Sequence, residues 1–319
     1  MWFFVACAFH ETHETRMPEV QVPVPEVPAD ASPVYRQGAW LYRAAACVGC
    51  HSPPFQEAQH LGGRRDLPTQ FGTFYAPNIS PDPDVGIGGW SEAEFTRAVR
   101  DGRAPDGHRY WPTFPYMTYT HLTDDDVHAL WTYVSAQPAV TSAEIPHEIR
   151  PLYRLPGLLG AWRGFAFDRG PLPDAPGRPD DWKRGRYLVQ AVTYCDQCHT
   201  PRNNVGLLQK GRYMAGGDNP GKSAVHPNLT PDPTYGLADW TPADLAEFLA
   251  SGRKPSGEVA DPDRIMAEKI HDSYSWLSEA DRLAIAAFVF SLPPVAYDPE
   301  HHRGARRPTR VRPEGSSGR

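Results

Sequence analysis

Nowhere in its 319 residues does the chain hold a run of about 18 or more apolar residues, so no segment reads as a transmembrane helix. Cysteine is scarce at five residues, and four of these fall in two short motifs, which leaves no disulfide framework. Methionine is equally scarce: Met1, Met17, Met117, Met214 and Met266. No cluster of basic and aromatic residues marks a nucleic-acid surface, and the net charge is −6. No general acid and base are convincingly placed together: Asp124, Asp125 and Asp126 read as a helix start, and the histidines are scattered. What the chain has in excess is proline (35) and glycine (27), which imply long shaped loops between helices, of the kind that wrap a cofactor.

An internal repeat sets the organisation. Ala76-Pro77-Asn78-Ile79-Ser80-Pro81-Asp82-Pro83 returns as His226-Pro227-Asn228-Leu229-Thr230-Pro231-Asp232-Pro233, and Gly86, Trp90, Gly102 and Gly107 pair with Gly236, Trp240, Gly252 and Gly257, all offset by 150. The offset is 148 upstream, from Cys47 to Cys195, and 155 downstream, from Leu122 to Leu277. Such drift means small insertions within a shared framework, and the chain reads as a tandem duplication.

Each copy is expected to be helical. One helix runs into the first Cys (Tyr35 to Ala46; Trp182 to Tyr194). A second follows Ser91-x-x-Glu94 or Thr241-x-x-Asp244, both capping signals. The last opens at Thr123 or Ser278, with apolar stripes Val127, Leu130, Trp131, Val134 and Leu283, Ala286, Ala287, Phe290. Gly38 and Gly185 sit where another helix would approach closely. The expected layout is a start and linker (1–33), a first domain (34–141), a Pro/Gly-rich connector (142–181), a second domain (182–297) and a disordered basic tail (298–319). Two separate cores should result, without a substantial β-sheet. The connector's apolar centre (Leu152, Leu155, Leu158, Leu159, Trp162, Phe165, Phe167) should pack across both domains or against a partner.

Cys47-Val48-Gly49-Cys50-His51 and Cys195-Asp196-Gln197-Cys198-His199 are both C-x-x-C-H, the signature of covalent haem c attachment. Two thiols on one helical turn reach the two vinyl groups of a porphyrin, and the adjacent imidazole faces its iron. A zinc site or a redox dithiol uses C-x-x-C as well, but neither explains a His directly after both pairs. Met266 and Met117 are the candidate distal ligands, each in the loop before the last helix. They match when counted from the upstream anchor of the repeat but not from the downstream one. His108 and His121 are rivals at the first haem, and core filling is the alternative role for either methionine. Met214, too close to the second motif, is left out. An iron-bound imidazole gives its second N–H to a carbonyl, and Pro77 and Pro227 are placed to supply one.

The N-terminus supports two readings. Phe4-Val5-Ala6-Cys7 loosely matches a lipid-attachment box, with Met17 to Pro33 as tether. Alternatively, Cys7 lies inside an ordinary export signal that is cut short by a misassigned start.

Several segments together resemble bacterial dihaem cytochromes c of the class I fold, particularly the cytochrome subunits of periplasmic alcohol, aldehyde and gluconate dehydrogenases. These are Arg184 to Val189, Cys195 to Asn203, Phe71 to Ile79, Gly86 to Trp90, and Phe114-Pro115-Tyr116 leading to Leu122-Thr123-Asp124; they span about Val34 to Val295. The resemblance implies an all-α fold of two tandem cytochrome c domains and two covalently bound haem c groups. It also implies a periplasmic electron carrier, fed by a dehydrogenase and emptied by a cytochrome, a quinone-linked complex or an oxidase. In this family a Pro-Asn-Leu-like segment supplies the proximal carbonyl, as Pro77 and Pro227 would. The sequence departs from the pattern at Phe114 and Leu122, where relatives often carry the first distal Met, and it has no third haem motif. The alternatives are a dihaem peroxidase or thiosulfate-oxidising enzyme with an open or unusual distal site, and a gas-sensing module.

Overall fold

The computed structural model describes residues 24–52, 60–218, 225–261 and 265–304. Cys7 and the tail arginines beyond Gly304 (Arg306, Arg307, Arg310 and Arg312 among them) lie outside them.

Helix α1 (Pro33–Ala44) starts with Ser32 capping Tyr35 N and a proline in its first turn, and it runs into α2 (Cys47–His51), the first motif. Strands β1 (Asp66–Thr69) and β2 (Gly72–Tyr75) form an antiparallel hairpin. Then come α3 (Glu92–Asp101), the single turn α4 (Tyr116–Tyr119) and α5 (Asp124–Ser135). The second half repeats this order with α7 (Asp180–Tyr187), a π turn at Leu188–Val192 and α8 (Cys195–His199). It continues through the short strands β4 (Gly217–Asp218) and β5 (Val225–His226), then α9 (Pro242–Ser251), α10 (Ile265–Asp272) and α11 (Glu279–Phe290).

Both capping signals are complete reciprocal boxes. Glu94 N donates to Ser91 Oγ (3.3 Å) while Ser91 N donates to Glu94 Oε2 (2.8 Å), and Asp244 and Thr241 do the same at 3.2 and 2.8 Å. At Thr123 the cap is one-sided. Asp126 N donates to Thr123 Oγ1, but the Asp126 carboxylate turns away to Gln37 and Tyr187.

The first and last helices of each half cross at a glycine. A Cβ on Gly38 would lie 2.0 Å from Ala129 O, and one on Gly185 would lie 1.8 Å from Ala284 O. No side chain fits at either crossing.

The structure corrects several expectations. The chain is mostly helical but not all-α. Strand β3 (Glu148–Ile149), from the connector, joins β2 to make a three-stranded sheet. The connector is itself structured, with a 3₁₀ turn (Pro151–Arg154) and α6 (Leu158–Ala166). It touches both halves: Arg163 is buried and donates to Asp101 O (2.6 Å), while Trp162 Nε1 donates to Val205 O (2.8 Å). Its apolar side chains are nonetheless largely in solvent, Phe165 at 85% exposure and Leu152 at 63%. In α11 the buried residues are Ala284, Ile285, Ala286, Phe288 and Val289, so of the expected stripe Ala286 is buried while Leu283 is exposed. That helix is apolar almost all round, so spacing alone could not phase it. The tail begins with α12 (Pro299–Gly304), where Pro299 lies against Gly216 beside β4.

The expected pair of separate cores is instead one contiguous apolar cluster. It runs from Leu41, Tyr42 and Val134 through Tyr119 to Leu188, Val192 and Phe288. Polar contacts reinforce the seam: Tyr187 OH donates to Asp126, and the Arg43 guanidinium lies 3.7 Å above the Trp276 ring.

Candidate haem sites

Each motif helix is entered through a residue in the left-handed region, Ala46 (φ 54°) and Tyr194 (φ 44°). For non-glycine residues this costs of order 1–3 kcal/mol and persists only where neighbours enforce it. Two tyrosines that sequence reasoning missed provide the restraint. Tyr119 OH donates to Ala45 O (2.7 Å), and Tyr274 OH donates to Thr193 O (3.0 Å). Both phenols are buried, so each bond is made away from water. The signal was available: the tyrosines share the 155-residue offset of Leu122 and Leu277.

His51 Nδ1 donates to Pro77 O at 2.9 Å, and His199 Nδ1 donates to Pro227 O at 2.8 Å. A carbonyl can only accept, so Nδ1 carries the proton and the neutral ring leaves Nε2 as its lone-pair nitrogen. Burial lowers His51, and burial together with His226 pushes His199 down to about 4, which keeps both imidazoles neutral. The proline carbonyls are held in turn by their asparagines. Asn78 Nδ2 donates to Val140 O (2.6 Å) and Asn228 Nδ2 to Val295 O (2.8 Å), tying each segment to the chain that leaves the last helix.

Cys47, Cys50, Cys195 and Cys198 form no disulfide. Burial pushes Cys47 and Cys195 up to about 12, the opposite of the thiolate a redox dithiol needs. Among the described residues no three His, Cys, Asp or Glu side chains converge as a metal cage. Haem fits what is present: a thiol pair beside an oriented neutral imidazole, in both halves. Thr118 Oγ1 and Ser273 Oγ, at equivalent positions, are buried with no protein partner. Each directly precedes the tyrosine that reaches back to the motif.

The distal candidates are less alike. Met117 is half-buried in the single turn α4, and Met266 is half-buried in the first turn of α10, packed on the core. Neither lies in a loop. Met214 is fully buried with φ 59° and occupies the place Leu61 (φ 68°) has in the first half. Leu229 N donates to Met214 O as Ile79 N does to Leu61 O, so Met214 fills the core. His108 is exposed on Asp106 (2.7 Å), and His121 Nδ1 donates to Gly170 O (2.5 Å).

The two motifs adjoin. The Tyr119 and Tyr194 rings lie 6.5 Å apart between centroids. Arg65 donates to Gly49 O and pairs with Glu268 of α10 at 2.7 Å.

Residues 35–137 match the cytochrome c family model. A dihaem c-type cytochrome of Cereibacter sphaeroides is 37% identical over 274 residues, covering 85% of this chain and 90% of its own length. The chain belongs to the dihaem c-type cytochromes. It therefore carries two covalently bound haem c groups and serves electron transfer. The fructose dehydrogenase cytochrome subunit of Gluconobacter japonicus is 34% identical over 85% of this chain. The gluconate 2-dehydrogenase cytochrome c subunit of Pantoea cypripedii is 34% identical over 81%. The match spans only 55% and 59% of those two subunits. No helix among the described residues of this cytochrome is long and apolar enough to cross a membrane.

Proposed function

We propose that this cytochrome accepts electrons from a periplasmic dehydrogenase and passes them to a downstream cytochrome, quinone-linked complex or oxidase. The two halves are tandem cytochrome c domains. One haem is attached at Cys47 and Cys50 and the other at Cys195 and Cys198, with His51 and His199 on the proximal side and Met117 and Met266 on the distal side. The observation that carries this reading is the repeated hydrogen bond from imidazole Nδ1 to a proline carbonyl, made directly beside each thiol pair.

When bound, each haem supplies a one-electron iron couple that needs no proton or group transfer. The chain's own part is to orient the ligands, exclude water and keep the sites close. The Pro77 and Pro227 carbonyls fix ring orientation and make each imidazole a better donor. Tyr119 and Tyr274 fix the turns that present the thiols. The dehydrogenase partner is supported by relatives that are themselves dehydrogenase subunits, and the apolar side chains left exposed on the connector suit such an assembly.

The test is a reductive titration followed by mixing with an oxidised soluble cytochrome c. Uptake of two electrons and their rapid delivery, with no turnover of hydrogen peroxide or thiosulfate, is expected. Turnover of either compound would favour the enzyme reading instead.

A further inference from the structure

Among the cations at the seam between the motifs, Lys269 is placed against both motifs at once. Lys269 lies on α10, in the second half, yet its Nζ is 3.4 Å from where a Cβ on Gly49 would stand, between Cys47 and Cys50 of the first motif. The same Nζ lies 5.7 Å from the centroid of the Tyr194 ring, and Tyr194 directly precedes Cys195. The ammonium lies within electrostatic reach of Cys47 and Cys50 of one motif and of Cys198 of the other.

Helix α10 is fixed in this place. Glu268 binds Arg65 at 2.7 Å, Arg65 also donates to Gly49 O, and Ala267 and Ile270 of the same helix are fully buried. A Cβ on Gly49 would stand in ordinary contact, 3.4 Å, with Glu268 Oε1 and Lys269 Nζ, so these two side chains of α10 lie directly over the residue between the first pair of cysteines. The first half has no counterpart, because α4 is a single turn of four residues where α10 has eight.

We propose that Lys269 is a positioning residue shared by the two haems, whose ammonium raises the reduction potential of both. The inference rests on haem attachment at the two motifs. A reduced haem carries one more electron than an oxidised one, so a nearby fixed positive charge favours the reduced form of either. A charge about 10 Å away in a partly buried setting shifts such an equilibrium about tenfold, which for a one-electron couple is about 59 mV. The first haem should feel it more, since Nζ stands beside Gly49 of the first motif and faces the second across a ring. Because the two potentials move together, Lys269 tunes the pair against outside donors and acceptors more than it sets the order of the haems.

The test is a spectroelectrochemical titration of the intact dihaem protein carrying Lys269→Met, with Lys269→Arg as the charge-retaining control. Lys269→Gln takes the place of the Met variant if that is not recovered. Mass spectrometry of each variant first establishes that two haems are attached, which separates failure of the attachment reading from failure of this one. The expected result is that both equilibria shift toward the oxidised form, the first haem by about tenfold and the second by less, while the Arg variant stays within about twofold of the parent at both. A shift at one haem only, at neither, or larger at the second would overturn the proposal. So would an Arg variant that behaves like the Met variant.

Discussion

On their proposed proximal sides the two halves of this cytochrome share the same hydrogen-bond frame, and on their proposed distal sides they do not. The proximal features come in pairs: Gly38 with Gly185 under a helix carbonyl, Tyr119 with Tyr274 on the turn before the motif, and Pro77 with Pro227 on the imidazole. Past Tyr110 and Ala260, which still make equivalent bonds to Gly102 and Gly252, the copies diverge. The first half makes a single turn carrying Met117. The second inserts α10, which carries Met266 on one turn and, on the next, the residues that dock on the first motif. On the proposed proximal side, one short chain segment has to satisfy thiols, imidazole and carbonyl together, and the hydrogen bonds that do so are the same in both halves. The distal side has only to deliver one ligand, which leaves it open to insertions that serve other ends.

The largest effects should come from breaking what the halves share. Gly38→Val and Gly185→Val each drive a branched side chain into a helix carbonyl, and each should cost about 3 kcal/mol or more. The two losses should be alike in thermal denaturation, and a tolerated Gly185→Val would mean that the crossings are not equivalent.

Next come the proposed distal ligands, where the halves differ. Met266→Ala should abolish one near-infrared sulfur-to-iron charge-transfer band and lower that haem's potential. Met117→Ala should remove the other band. If Met117→Ala leaves the spectrum unchanged, the first haem has a different distal ligand, and His108 and His121 become the residues to replace.

A smaller asymmetry is acid sensitivity. His60 of the first half is buried against Ser52 (3.1 Å) and Tyr42, and burial pushes it down to about 4. Tyr213 holds the equivalent place in the second half. Between about pH 6.5 and pH 4 the unfolded chain binds a proton at residue 60 that the folded chain refuses. Stability is therefore fully present above pH 6.5 and falls as the pH drops toward 4, by about 1–3 kcal/mol. His60→Gln should flatten that part of the stability–pH curve. An unchanged slope would mean that other groups carry the acid response.

Much of this was legible in the sequence because it depends on local chemistry. The repeat exposed the duplicated frame, the two motifs exposed the thiols and imidazoles, and Ser91-x-x-Glu94 and Thr241-x-x-Asp244 are caps that need only their own turn. The strands were not legible: β1 and β2 are four residues each, β1 contains a proline, and the third strand comes from the connector, where Glu148 pairs with Thr73 from 75 residues away. The face of α11 was hidden by its uniform apolarity, although the 155-residue offset from Ala129, Leu130, Tyr133 and Val134 gives it directly. Helix α10 and the seam were hidden for a different reason. Nothing in the local sequence marks Glu268 and Lys269; only their contacts with Arg65 and Gly49 of the other half do.

The central claim is that each half holds one haem, at the same point of the repeated frame. The direct measurement is peptide mapping by mass spectrometry of protein exported through a haem-attachment system, digested after full denaturation. The account predicts one haem on the peptide containing Cys47 and Cys50 and one on the peptide containing Cys195 and Cys198. A single haem, a haem lost on denaturation, or free thiols at either motif would contradict it.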